Sequence, residues 1–169
     1  MKAAFLILSA VNQQPAKASD TLAQLKQLLI TLGHNFEQSP NALIEYSETA
    51  LSDGQKQQIL PHADLLAEFH PNELLLKLKA GLDAASNPDA IASYNELLKI
   101  VALNWFLQNA HGANLFKEID CVVIIESGAD IAQDMTDLLN KPEATKNKFF
   151  FRKAQKFPTD HAKGRTMMY

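Results

Sequence analysis

The sequence predicts a helix-rich α/β fold: a single domain with a small central sheet covered by five or more helices. Three observations lead there. Residues 3–10 (AAFLILSA) and 120–126 (DCVVIIE) are short apolar runs without a hydrophilic face, the pattern of strands buried on both sides of a sheet. Between them, apolar residues recur at helical rather than alternating spacing. A chain of 169 residues that is 47% hydrophobic and 21% charged is long enough to bury one core of its own.

Each element follows from local chemistry. After the first run, Ser19 or Asp20 can cap a helix whose Leu22, Leu25, Leu29 and Leu32 keep a 3.6-residue period, with Gly33 as its expected stop. His34 to Gln38 is a weak strand candidate, lacking any β-branched residue. Pro40, Pro61, Pro71 and Pro88 each stand where a missing N–H does no harm, at the start of a helical pattern. They punctuate four expected helices, at 41–52, 61–69, 71–82 and 88–109. The last is the best defined, with Asn87 as cap and Ile91, Tyr94, Leu98, Val101 and Trp105 along one face. The β-branched run 120–126 reads as a second central strand. A helix over 130–139 and a third strand over 149–152 complete the expected globular domain, residues 1–152, with 153–169 as a basic C-terminal tail.

Composition excludes several classes. Seven prolines and six glycines rule out collagen and wholesale disorder, and the single Cys121 rules out an internal disulfide or a Cys-rich zinc site. Net charge of −3 excludes a globally basic nucleic-acid binder. Met1-Lys2, the apolar run and Ala16-Lys17-Ala18 imitate a secretory leader, but the run is short and its connector polar, so a retained N-terminus and a cytoplasmic location are expected. No run approaches the ~18 residues needed to span a bilayer, and no membrane partner is expected.

Charge is strongly segregated. Residues 1–140 carry 8 basic and 17 acidic side chains, net −9, whereas 141–169 carry 8 basic and 2 acidic, net +6. In that second part Lys146, Lys148, Arg152, Lys153, Lys156, Lys163 and Arg165 are interleaved with Phe149, Phe150, Phe151, Phe157 and Tyr169. Cations beside rings suit an acidic protein partner, self-association with the acidic body, or nucleic acid, where cations neutralise phosphates and rings stack on bases. They equally suit the solvated edge of a core.

A second cluster is acidic. Glu126 closes the second strand, and Asp130, Asp134 and Asp137 follow at helical spacing on one face. At the C-terminal end of a strand, Glu126, Asp130 and Asp134 suit a hard cation such as Mg²⁺, although acids near a helix N-terminus are also favoured by its dipole alone. No motif demands a cofactor. The string Glu126-Ser127-Gly128-Ala129-Asp130 is similar to the glutamate-bearing start of a Toprim domain, the metal-dependent fold of primases and topoisomerases. That family also carries a later Asp-x-Asp pair, which this sequence lacks, so its activity is not carried over.

Other candidates are weaker. Ser9, Asn12 and Gln13 follow the first strand, but the stretch 12–19 has no glycine and is no phosphate-cradling fingerprint. His62 and His70 are spaced two helical turns apart rather than the one a zinc pair favours. Cys121, inside an apolar strand, reads as a small hydrophobe. The stretch 160–165 can present a phosphate-binding loop, but no helix start follows it. With no complete catalytic constellation, the sequence favours a non-catalytic interaction protein, such as an adaptor, inhibitor or assembly subunit, that docks through its basic aromatic tail. The alternative is a metal-dependent nucleotide or nucleic-acid binding protein or enzyme using the acidic cluster.

Overall fold

A computed structural model describes residues 3–112, 118–127 and 150–151. Strand β1 (Ala3–Ser9) is buried along its whole length, as its unbroken apolar run requires. It lies at the centre of a parallel sheet, between β2 (Asn41–Glu45) and β4 (Cys121–Glu126). Strand β3 (Leu65–Glu68) flanks β2, and the two-residue β5 (Phe150–Phe151) flanks β4, giving the order β3-β2-β1-β4-β5.

Side chains alternate across the sheet and split the core into two layers. Phe5, Ile7, Leu43, Val123 and Ile125 face one side, where they meet Leu25, Leu29 and Leu32 of α1 (Ala18–Asn35) and Ile59 of α2 (Asp53–Ile59). Leu6, Leu8, Ala42 and Ile44 face the other, against Tyr94, Leu98, Ala102 and Phe106 of α4 (Pro88–Gly112), with Leu75 and Leu82 of α3 (Glu73–Ala84) at the margin. Helices on both faces of a parallel sheet make the domain doubly wound.

The α/β class stands, but the helix-rich layout is corrected. Four α-helices, not five or more, occur among the described residues, and the expected helix at 130–139 lies outside them. Residues 41–52 are not a helix: 41–45 form β2, paired with β1 from Phe5↔Asn41 to Ser9↔Glu45. Residues 61–69 are not a helix either: Pro61 sits in a 3₁₀ turn (Leu60–His62) that leads into β3. Runs of four or five residues are too short for periodicity to separate helix from strand, and partner strands decide them. The weak strand candidate at 34–38 is also overturned. Gly33 does not stop α1, because the helical bonding continues to Phe36, whose N–H donates to the Leu32 carbonyl at 2.9 Å while its ring packs on Phe5. The strands at 3–10 and 120–126, the helices expected over 71–82 and 88–109, and β5 inside 149–152 lie where the sequence places them, although the first of these helices is capped by Asn72 and not begun by Pro71.

Candidate functional site

In a parallel sheet every strand ends at the same edge, so Ser9, Glu45, Glu68 and Glu126 are brought to one side of the molecule by topology alone. The chain runs outward from β1 to β2 and β3, then returns across the sheet to β4. Strand order therefore reverses between β1 and β4, the position at which doubly wound sheets place a ligand crevice. Backbone pairing closes its base: the Ser127 N–H donates to Leu8 O at 2.8 Å, and the Tyr46 N–H to Ser9 O at 2.9 Å.

One wall is the turn Val11–Gln13. In many doubly wound domains such a turn offers free N–H groups to a phosphate. Here they are taken. The buried Glu45 carboxylate accepts the Val11 N–H at 3.0 and 3.3 Å and the Ser47 N–H at 3.1 Å, with a further bond from the Ser47 hydroxyl. The Asn12 N–H donates to Ser47 Oγ at 2.9 Å, and the Asn12 amide donates to Ala50 O at 2.9 Å and accepts from Gln55 at 2.8 Å. Burial pushes the Glu45 carboxyl above its usual range, although Ser47, Val11 and Ser9 oppose the shift. The Ser9 hydroxyl lies near that carboxylate without reaching hydrogen-bond geometry.

The other wall is the end of β4 with α4 behind it. Lys99 is only 8% exposed, and its Nζ sits between Glu126 Oε1 at 2.8 Å and Glu96 Oε2 at 2.9 Å. Burial alone would lower the Lys99 pKa, but bonds to Glu126 and Glu96 outweigh it and hold the ammonium above its usual range. Tyr46 is pushed up to about 12, by burial first and against the pull of Lys99, so its phenol stays protonated. Gln13 spans the crevice, donating to Asn95 Oδ1 at 2.8 Å. Gln13 Oε1 has no hydrogen-bond partner among the described residues. Buried polar atoms in that state are where water or a ligand binds.

Of the metal residues expected from the sequence, Glu126 stands at this crevice, whereas Asp130 and Asp134 lie outside the described residues. The same is true of every tail residue named for binding: Lys146, Lys148, Arg152, Lys153, Lys156, Phe157, Lys163 and Arg165. No group of three or more metal-ligating side chains occurs among the described residues. His62 and His70 fall at opposite ends of β3 and cannot share a metal. Cys121 is buried in β4, and burial, aided by Asp120, raises its thiol. No described helix is long and apolar enough to cross a membrane.

Sequence reading missed Glu45, Lys99 and the Ser52 capping box that starts α2. Only the last had a signal, since Ser52-Asp53-Gly54-Gln55 has the S-x-x-Q spacing of that motif.

Strand order 3-2-1-4-5, parallel pairing and helices on both faces define a doubly wound α/β domain with the strand sequence of mononucleotide-binding folds, lacking their glycine-rich turn. Comparison with protein-family models, curated proteins and solved structures finds no match for the chain.

Proposed function

We propose that the domain binds a phosphate-bearing ligand of the nucleotide class in the crevice between β1 and β4, with a divalent cation. One observation carries this reading: Glu126, at the end of β4, stands beside the end of β1 where the strand order reverses. With the Val11 and Asn12 N–H groups already satisfied, the turn cannot cradle the phosphate, and a cation must offset its charge. Glu126 Oε1 faces Lys99, which leaves Oε2 for that cation, and Asp130 and Asp134 follow closely enough in sequence to complete its ligands. The test is thermal stabilisation by nucleoside diphosphates with and without Mg²⁺ or Mn²⁺. Stabilisation that needs both components and is lost in Glu126→Gln and Asp130→Asn supports the proposal. Equal stabilisation without the cation, or none with it, rejects it.

A second reading keeps the chain a non-catalytic interaction protein. It is favoured by the exposed apolar side chains of α3 and α4, where Leu74 is 75% and Ile100 62% exposed and Leu76, Leu78, Leu97 and Leu107 are exposed as well. Exposed large apolar groups at this density mark contact surfaces. Docking of the basic aromatic tail on an acidic partner belongs to this reading. It predicts a complex that weakens as salt rises and is lost on removal of residues 153–169. Retention of the complex in high salt after truncation counts against it.

A further inference from the structure

At the opposite edge of the sheet, where the strands begin, a cavity of about 440 Å³ lies between the end of α1 and the approach to β3. Its volume falls in the range of small-molecule sites. The carbon wall is Leu29, Ile30, Phe36 and Ala63. Glu37 and Asp64 stand at its rim with His34 and His62, and among the described residues neither lysine nor arginine lines it. The last turn of α1 adds its own negative end, since the final carbonyls of a helix carry about half an elementary charge. The carboxylates and the helix end at the cavity are negative among the described residues, which favours a cation over a phosphate or carboxylate ligand.

The polar groups are built in. Asn41 and Asp64 hold one another, the Asn41 N–H donating to Asp64 Oδ2 at 2.8 Å and the Asp64 N–H to Asn41 Oδ1 at 3.1 Å, while the Asn41 amide donates to His62 O at 3.2 Å. These bonds fix the Asp64 carboxylate at the rim. Phe36 is steadied by Phe5, their ring centroids 4.9 Å apart, and offers an aromatic ring to an ammonium. Gly33 also lines the cavity, inside α1, where a Cβ would meet nothing within 4 Å. Glycine is unfavourable in a helix interior relative to alanine, and here it leaves the wall open.

We propose that this cavity binds a small organic amine in its ammonium form, its charge beside Glu37 and Asp64 and its carbon skeleton against Leu29, Ile30 and Phe36. The site is separate from the β1–β4 crevice and does not depend on the reading of that crevice.

Benzylammonium is the probe, with benzyl alcohol and benzoate as controls of matched shape, read by backbone amide shifts in ¹⁵N-labelled full chain. The expected result is a saturable response at residues 33–37 and 62–64, with affinity in the roughly millimolar range of a fragment. Benzyl alcohol should bind about two- to fivefold more weakly and benzoate not at all, because a partly exposed charge contact is worth up to ~1 kcal/mol, a factor of about five. Glu37→Gln should cost a similar factor. Gly33→Trp should abolish the response, while Gly33→Ala, which keeps the fold and adds only a methyl group, should retain it. Equal binding of benzyl alcohol, an unchanged response in Gly33→Trp, or no saturable shift overturns the proposal.

Discussion

The Glu45 carboxylate at the end of β2 accepts the backbone N–H of Val11 in the turn that follows β1, 34 residues earlier in the chain. A buried carboxyl group thus fastens the first turn after the central strand to the next strand, in the place where related topologies hold a phosphate. Removing it in Glu45→Ala leaves the Val11 and Ser47 N–H groups buried without an acceptor, and should cost about 2–4 kcal/mol of unfolding free energy in urea.

The same carboxyl gives a pH signature. Its folded pKa is raised above 4.5, so the folded state binds this proton more tightly than the unfolded chain. Its contribution is fully favourable below 4.5 and is lost as pH rises through the raised folded value. Glu45→Gln keeps an acceptor oxygen without the charge. The stability of the wild type relative to Glu45→Gln should therefore improve as pH falls through the raised folded value towards 4.5. A difference independent of pH would show that burial does not shift this group.

Lys99 is the buried member of the Glu96–Lys99–Glu126 set. Lys99→Met keeps the aliphatic stem against the core but leaves Glu126 facing the crevice without its cation. Because the Glu126 side chain is 43% exposed, water offsets part of the loss, and the expected cost is about 1 kcal/mol in chemical denaturation.

Ile44 is fully buried in the middle of β2, on the face covered by α4. Ile44→Ala removes its packing and leaves a cavity, and should destabilise by about 2–5 kcal/mol. If residues 41–52 were a surface helix instead, the cost would be far smaller, so this variant also tests the corrected assignment.

Gly81 lies within α3, where a Cβ meets nothing within 4 Å. Gly81→Ala should raise stability by about 0.5–1 kcal/mol, measured by thermal or urea unfolding, because it lowers the entropy of the unfolded chain without a clash.

The sequence by itself determined the elements whose signal is local. Ala3–Ser9 and Cys121–Glu126 are strands because apolar runs with no hydrophilic side must be buried on both faces, and Asn87 starts a helix because its side chain accepts the first free N–H groups. It also brought Glu126 into view as the acid that closes a strand. Tertiary structure decided the rest. Residues 41–45 carry too few side chains to show a period, and they become β2 only because β1 offers an edge whose N–H and C=O groups need partners. Strand order, and with it the crevice, arises from the crossover between β3 and β4. Lys99 meets Glu126 across 27 residues because α4 packs on β1 and β4, and the Glu45–Val11 bond depends on β2 lying beside β1. Such pairings have no spacing in the chain to betray them, because the distances that create them are set by how the layers pack.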